Sequence, residues 1–380
     1  MDHMRAAPAA VLVALVVSLA GACSNSSKAP VGGVTAPAGS PTTLPVSPKV
    51  TPATDYGPPP AGVPLIYVQD PGHSGRLIGY DWTGKPRGTV KAEPSTSLTQ
   101  SPDGSLFVTG LGPKGGGQGY LDRLAQPMAG PGNPPNTVNA IWADDSVHMC
   151  MVTLDQQTYA WGFSVQQPGE AARQITVIAQ DQGIGQSGIS PVSCSFKSNT
   201  AILLRTSIAW PHELWVVRTS DGTVLAHHVY ASASLAGVIA TPDGAYVAES
   251  SSQSQSPNAP GASNTTIRRA SDWSVAAALT STYQILGFSG DDSMALVLTQ
   301  PPTETVQSHL EVIDWRNGVV VWRHDGPDGV YRILGQPEGS SFAVAMGSPT
   351  PTGNLTLTGI LIVYGDGTTV ALPSGELPAW

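Results

Sequence analysis

From Val63 onward, apolar residues fall in short runs that are interrupted by turn-forming residues at regular intervals. Six segments share one plan, in which an apolar strand, a tight acidic or glycine-containing turn and a second apolar strand follow one another. The segments are 97–109, 139–153, 192–205, 238–249, 285–299 and 333–346, with turns near residues 103, 144, 198, 243, 291 and 338. In Pro102-Asp103-Gly104, proline presets one dihedral and glycine tolerates positive φ. The pattern predicts six β-hairpins.

A second hairpin follows most of these segments. Examples are 79–88, 213–227, 309–323 and 360–372, each with a hydrophobic strand, a glycine-containing turn and another strand. Two hairpins in each period of about 41 to 54 residues give four antiparallel strands, the size of one β-propeller blade. Radial stacking buries both apolar faces of such small sheets and leaves only short edges. We therefore predict an all-β fold, a β-propeller of four-stranded antiparallel blades.

The number of blades depends on how residues 64–91 are counted. They contain strands without a preceding tight-turn pair, as expected for the last strands of a blade whose first strand comes from the C-terminus. Residues 64–380 divided by about 45 residues per blade give about seven. We predict seven blades, with six as the alternative.

Two further features accompany the repeats: turns of the Ser-Pro-Asp-Gly type and the Asp-Trp pairs Asp81-Trp82, Asp272-Trp273 and Asp314-Trp315. In these features, residues 63–380 resemble the WD40-like and TolB-like β-propellers of bacterial envelopes. The sequence lacks the regular Gly-His and terminal Trp-Asp signature of eukaryotic WD40 repeats. The resemblance implies a fold and indicates little about a ligand.

The N-terminal residues have the pattern of an export signal. Arg5 gives a positive start, and residues 6–20 form an apolar run shorter than the roughly 20 residues that a membrane helix needs. The run ends in Leu19-Ala20-Gly21-Ala22-Cys23, which resembles a bacterial lipobox. This resemblance implies removal of residues 1–22, lipidation of Cys23 and anchoring on the outer face of the cytoplasmic membrane. The alternative is an ordinary secretory signal that ends near a cysteine.

Residues 24–62 are rich in Pro, Ser, Thr and Gly and have almost no large apolar groups. Such a segment buries too little surface to offset the entropy of ordering it. We predict that residues 23–62 are a lipid-bearing, disordered tether and that residues 63–380 are the propeller domain.

Charge and cysteine content narrow the classes of function. The net charge is −9 and the 18 Lys and Arg residues form no cluster, which argues against a nucleic-acid partner. Most of these basic residues are Arg, as in high-GC genomes such as those of actinobacteria. If Cys23 is lipidated, Cys150 and Cys194 remain in an oxidising compartment, where an isolated pair tends to bridge. We predict a disulfide between them, with two buried thiols as the alternative.

Residue types that often carry catalysis form no recognisable constellation in the sequence. His227 and His228 are adjacent on a strand and point to opposite faces, and the other histidines lack ligand spacing. Asp144-Asp145 and Asp291-Asp292 occupy turns, and turn formation explains them better than calcium binding. We expect no catalytic residue, metal or cofactor, and a non-enzymatic binding or scaffolding function in the cell envelope. The alternative is a propeller enzyme of the lactonase, quinone-dependent dehydrogenase or glutaminyl cyclase type.

The two faces of the predicted ring differ in their loops. If the strands of a blade are called a, b, c and d, the a–b turns are tight and the b–c loops are long. The long loops are 110–119, 206–212, 250–266, 300–308 and 347–354. Variable loops on a rigid scaffold usually carry binding sites. We predict that a protein or cell-envelope partner binds this b–c face near Trp210 and His212. The alternative for Trp210 is that it folds back over the blade edge.

Overall fold

The computed structural model describes residues 55–70, 73, 75–91, 98–109, 119–182, 187–207, 211–230, 235–251, 264–280, 282–299, 309–325, 329–349 and 355–373. The strands among them form seven antiparallel sheets, numbered here as blades 1 to 7 in chain order. None of these segments forms a helix with the length and apolarity that crossing a membrane requires.

Blades 3 to 7 have four strands each, in the order of the chain. Blade 3 contains β7 (Thr137–Trp142), β8 (Met149–Leu154), β9 (Ala160–Gln166) and β10 (Arg173–Gln180). Blade 4 contains β11 (Ser187–Ser195), β12 (Thr200–Ser207), β13 (His212–Arg218) and β14 (Val224–Tyr230). Blade 5 contains β15 (Leu235–Ala240), β16 (Tyr246–Ser251), β17 (Asn264–Arg269) and β18 (Val275–Thr280). Blade 6 contains β19 (Thr282–Phe288), β20 (Met294–Thr299), β21 (His309–Asp314) and β22 (Val319–Asp325). Blade 7 contains β23 (Gly329–Gly335), β24 (Phe342–Pro349), β25 (Leu355–Val363) and β26 (Thr369–Leu372).

Blades 1 and 2 have three strands each within the described residues. Blade 1 contains β1 (Leu65–Gln69), β2 (Arg76–Asp81) and β3 (Pro86–Lys91). Blade 2 contains β4 (Leu98–Gln100), β5 (Phe107–Thr109) and β6 (Tyr120–Leu121), and a single bridge joins Leu121 to Pro127.

A hydrophobic cluster fills each joint between neighbouring blades, and together the clusters close the ring. Each cluster contains residues from both blades that meet at the joint. Examples are Tyr67 and Phe107 at joint 1–2, Val108 and Met151 at 2–3, Phe163 and Leu203 at 3–4, Val216 and Val247 at 4–5, Ile267 and Val297 at 5–6, Val312 and Val344 at 6–7, and Ile362 and Ile66 at 7–1. The strands contribute to two clusters at once because successive side chains point to opposite faces. The prediction of a seven-bladed β-propeller is confirmed.

The first strands of blades 3 to 7 line the centre of the ring, since β7, β11, β15, β19 and β23 contact one another in succession. Blade 1 lacks such a strand within the described residues. At that position the side-chain amide of Gln100, from β4, bonds to the free edge of β1. Its Nε2 donates to the carbonyl of Leu65 at 2.9 Å, and its Oε1 accepts the N–H of Tyr67 at 2.9 Å. The amide thus makes two hydrogen bonds of the kind that a neighbouring strand would make with this edge. The predicted C-terminal strand falls on residues 374–380, outside the described ones.

Four of the described a–b turns share one conformation. Positive φ occurs at the same turn position in blades 2, 3, 5 and 6, at Gly104, Ser146, Gly244 and Asp292. In blades 4 and 7 it occurs one residue later, at Asn199, and one residue earlier, at Glu338. In blade 2, the carboxylate of Asp103 accepts bonds from the hydroxyl of Ser101 and the N–H of Ser105, both at 2.8 Å. Asp243 and Asp291 do the same in blades 5 and 6. The aspartates therefore serve as turn-forming residues, as predicted.

These turns also bond to the neighbouring blade and form a belt around one face of the ring. Leu65 donates its N–H to the carbonyl of Asp103 at 2.9 Å, and Ser195 donates its hydroxyl to Asp144 at 2.6 Å. Ser198 donates to the carbonyl of Asp243 at 2.6 Å. An ion pair between Lys197 and Glu338 joins the turns of blades 4 and 7.

A disulfide joins blades 3 and 4 near the same end of the strands. Cys150 lies on β8 and Cys194 on β11, with their Cα atoms 6.3 Å apart, and both are buried in one hydrophobic cluster. This is the pairing that the sequence predicts.

The ordered contacts of the domain begin before Val63. Gly57 accepts the N–H of Thr89 at 2.8 Å, and the carbonyl of Pro59 accepts a bond from Arg123 at 2.5 Å. Residues 55–62, assigned to the tether by composition, therefore include a stretch that binds the outer edge of blade 1. The composition of this stretch could not indicate its contact with the domain, because the contact is made by backbone hydrogen bonds to β3.

Candidate functional site

A cavity lies at the b–c end of blade 3. Its volume is about 530 Å³, within the range of roughly 300–1,000 Å³ that is usual for small-molecule sites. Its lining comes from the short b–c loop between β8 and β9, from the adjoining strands and from the segment before β7. The lining residues are Asn136, Thr153, Leu154, Asp155, Gln156, Gln157, Thr158, Ala160, Gly162, Gln174 and Val177. We call this the blade 3 cavity.

Gly162 provides room in the wall of the cavity. It is buried in the middle of β9, paired with Thr153 of β8 and Val177 of β10. A Cβ at this position would lie 2.8 Å from Oγ1 of Thr153 and 3.3 Å from Nε2 of Gln174. The φ of Gly162 lies outside the left-handed region. Glycine is therefore required here by the lack of room for a Cβ and not by the backbone dihedral. Glycine within a strand often marks the close approach of another group.

The neighbouring strand is irregular at the same level. The register of β10 on β9 shifts between Gln174 and Thr176 and again between Val177 and Ala179. Such bulges redirect side chains relative to a regular ladder and are frequent beside binding sites. Here they lie beside the two residues through which β10 lines the cavity.

The loop at the rim is held in place by its own backbone contacts. Oδ1 of Asp155 accepts the N–H groups of Gln157 at 2.8 Å and Thr158 at 3.3 Å, and these bonds lower the pKa of Asp155. Gln180 donates to the carbonyl of Thr158 at 2.9 Å, and the N–H of Asp181 to that of Tyr159 at 3.0 Å. A short loop fixed at both ends presents its side chains in a defined arrangement.

The cavity is rich in hydrogen-bonding groups and nearly neutral. The side-chain amides of Asn136, Gln156, Gln157 and Gln174 make no hydrogen bond to another described residue, and Asp155 is the single charged residue of the lining. Amides offer two donors and one acceptor oxygen each. The site can therefore form several directional hydrogen bonds but offers no positive charge to an anion.

Asp181 connects the rim to blade 4 through a buried polar network. Its carboxylate accepts bonds from Arg205 at 2.5 Å, Ser187 at 2.6 Å and Trp161 at 3.0 Å. Arg205 also donates to Glu213 at 2.8 Å. Burial opposes ionisation of Asp181, but these donors and the Arg205 charge hold its pKa below the ordinary value. The network fixes Asp181, whose N–H bonds to the loop at Tyr159.

The residues predicted from sequence do not meet at this cavity. His212 is half-buried at the start of β13, where its Nδ1 accepts the N–H of Ser207 at 3.1 Å, and burial lowers its pKa. It therefore helps to hold the two ends of the blade 4 b–c loop together. Trp210 and Cys23 lie outside the described residues.

The blade 3 cavity lies at a short b–c loop, whereas the sequence pattern points to the long ones. The available signals were the polar run from Asp155 to Thr158 and a glycine inside a strand of large residues. Neither signal brings in Asn136 or Gln174, which join the site only through strand pairing.

A smaller cavity of about 250 Å³ lies between blades 4 and 5, near the c–d turn of blade 5. There the ring of His228 stacks on Trp273 at 4.3 Å, and burial lowers the pKa of His228. Nε1 of Trp273 is buried and has no hydrogen-bond partner within the described structure. No group of three or more potential metal ligands occurs in the described part of the chain.

No protein-family model matches the chain, and no curated protein matches its sequence. Among solved structures, the chain is similar to the hydrazine synthase of Kuenenia stuttgartiensis, with 15% identity, 77% of this chain and 92% of that chain covered and a TM-score of 0.48. It is similar to the Cps50 (Swd1) β-propeller domain of Myceliophteria thermophila, with 12% identity, coverage of 76% and 94% and a TM-score of 0.46. It is also similar to the β-propeller domain of the Trilobed protease from Pyrococcus furiosus, with 11% identity, coverage of 74% and 86% and a TM-score of 0.49. At these identities the similarities concern the fold.

Proposed function

We propose that this protein is a lipid-anchored lipoprotein of the bacterial cell envelope whose β-propeller binds a partner on its b–c face without catalysing a reaction. The observation that carries the proposal is the blade 3 cavity, where four side-chain amides lie without partners among the described residues. Groups of this kind recognise ligands by hydrogen bonding and are not activated for nucleophilic or acid–base chemistry.

Anchoring is supported by the sequence alone. Leu19 to Cys23 resemble a lipobox, and the following segment has the composition of an extended spacer. A diacylated cysteine would hold the chain firmly at a membrane, since two acyl chains anchor stably where one is marginal. The spacer would keep the propeller away from the lipid surface and leave its b–c face free to bind.

Trp210 and His212 belong to the b–c loop next to the blade 3 cavity in the order of the ring. We propose that a partner covering this sector contacts both the cavity rim and the blade 4 loop. Aromatic residues in such a position commonly carry much of the binding energy of an interface.

The anchoring part is tested by fractionating cells that produce the wild type or Cys23→Ala. The expected result is that the wild type sediments with membranes and the variant is released. A variant that remains entirely with the membrane would show that the lipobox assignment is wrong.

The binding part is tested by placing a photo-reactive amino acid at Gln157 on the b–c face or at Thr223 in the c–d turn of blade 4. Both side chains are exposed, and they lie on opposite faces of the ring. After illumination of intact cells, we expect a discrete cross-linked product from position 157 and none from position 223. Equal products from both, or a product from position 223 only, would contradict binding on the b–c face.

A further inference from the structure

The lining of the blade 3 cavity specifies the chemistry of its ligand further than the general proposal does. Amides line three sides of it: Asn136 before β7, Gln156 and Gln157 in the loop, and Gln174 on β10. Thr153 and Thr158 add hydroxyls. A ligand that satisfies so many neutral donors and acceptors must itself carry many hydroxyl or amide groups at short spacing.

Charge removes one large class of such ligands. The lining contains no Lys or Arg, and its single carboxylate, on Asp155, has a pKa below the ordinary value because backbone N–H groups bond to it. This carboxylate is therefore ionised at neutral pH and repels phosphate, sulfate and uronic acid groups. Besides these N–H groups and the Thr158 hydroxyl, its oxygens have lone pairs that can accept further hydroxyl protons.

Apolar surface accompanies the polar groups. Leu154, Ala160 and Val177 also line the cavity, and Val177 is 56% exposed. A ring that carries hydroxyls at its edge and C–H groups on its face would use both kinds of surface. The mid-strand glycine at position 162 leaves the space beside Gln174 open for such a ring.

We propose that the blade 3 cavity binds a neutral saccharide of about disaccharide size. Asn136, Gln157 and Gln174 hydrogen-bond its hydroxyls, Asp155 accepts from a further hydroxyl, and Val177 contacts its apolar face. The inference rests on the proposed binding function of the b–c face and names the ligand class for it. It does not depend on lipid anchoring or on a protein partner.

The test is calorimetric titration of the full chain carrying Cys23→Ala with cellobiose, maltose, N,N′-diacetylchitobiose and, as the anionic probe, digalacturonic acid, each up to about 10 mM. At least one neutral disaccharide should bind, and digalacturonic acid should bind at least about tenfold more weakly or not at all. Gln174→Ala and Asn136→Ala should each weaken the neutral ligand about fivefold, the effect of one lost hydrogen bond. Gln126→Ala, an exposed glutamine in the c–d turn of blade 2, is the matched control and should change nothing.

Asp155→Asn sharpens the test because asparagine can still accept the loop N–H groups but carries no charge. It should reduce the discrimination between neutral and anionic disaccharides. Failure of all three neutral probes to bind, or binding that Gln174→Ala and Asn136→Ala leave unchanged, would overturn the inference. Loss of binding in Trp273→Ala instead would move the site to the cavity between blades 4 and 5. If no saccharide binds but position 157 still forms a cross-link, the saccharide inference is wrong and the proposed binding function of the b–c face is still supported.

Discussion

The two faces of the ring are built from the same blades but use their polar side chains in different ways. On the a–b face, the carboxylates of Asp103, Asp243 and Asp291 accept hydrogen bonds within their own turns. Further hydrogen bonds join the turns of neighbouring blades. At the blade 3 cavity, which opens toward the b–c loop, the amides of Gln157 and Gln174 have no partner within the described structure. These aspartates therefore hold the turns of the first face in shape, whereas the amides at the cavity are free to bind. A search for function should follow unpartnered groups, not motif-like ones.

Among the contacts near the a–b face, the disulfide should contribute most to the free energy of unfolding. It closes a loop with a sequence separation of 44 residues between blades 3 and 4. Removing it with Cys150→Ala/Cys194→Ala should lower the free energy of unfolding by about 4 kcal/mol in the chain-entropy treatment. Urea unfolding of the oxidised wild type and the variant measures this difference. Wild-type protein treated with a reductant is the control and should unfold close to the variant. Identical unfolding of all three would mean that the bridge does not stabilise the ring.

The effect of Gln100 should come next, since its amide makes two hydrogen bonds to the edge of β1 at the joint between blades 1 and 2. Gln100→Ala leaves the carbonyl of Leu65 and the N–H of Tyr67 buried without these partners. Each unsatisfied backbone group costs about 1–3 kcal/mol, so a loss of about 3 kcal/mol is expected. Thermal unfolding compares the variant with Gln126→Ala, where the side chain is exposed. A loss as small as that of the control would show that β1 does not depend on this amide.

The joint between blades 5 and 6 adds a pH dependence to the a–b face. Burial raises the pKa of Asp292 from 3.8 to about 8, and the negative charges of Asp243 and Asp291 act in the same direction. The positive charge of Arg316 opposes this shift only in part. Between these values the folded protein retains a proton that the unfolded chain has released. Stability should therefore fall as pH rises through this window, by about 2 kcal/mol after allowance for coupling with Asp243.

Unfolding measured from about pH 4 to about pH 8 tests this dependence. Asp292→Asn should flatten the curve, because asparagine keeps the shape and cannot titrate. Asp243→Asn should narrow the window by removing one of the neighbouring charges. Parallel curves for the wild type and Asp292→Asn would contradict the assignment.

The sequence could predict whatever depends on local chemistry and on the repeat period. The Pro-Asp-Gly turns, the seven blades and the pairing of Cys150 with Cys194 all follow from residue type and spacing. It could not predict that Gln100 bonds to a strand 33 residues earlier, because the angle between two blades sets that contact. The blade 3 cavity could not be predicted for the same reason, because Asn136 and Gln174 line one cavity only when β7 to β10 pair with shifted register.

The smallest effect should come from the rim of the blade 3 cavity, and it decides whether the faces truly differ. Gln156 and Gln157 are exposed and their side chains make no hydrogen bond to another described residue, so Gln156→Ala/Gln157→Ala should change stability by less than about 0.5 kcal/mol. The loop should keep its conformation, since Asp155 bonds to backbone N–H groups that alanine retains. Urea unfolding of the double variant, run beside Gln100→Ala, gives the comparison on one scale. A loss above about 1 kcal/mol would mean that these amides hold the blade together as the a–b aspartates do. In that case the amides would be structural, and the b–c face would have no free groups at this point with which to recognise a ligand.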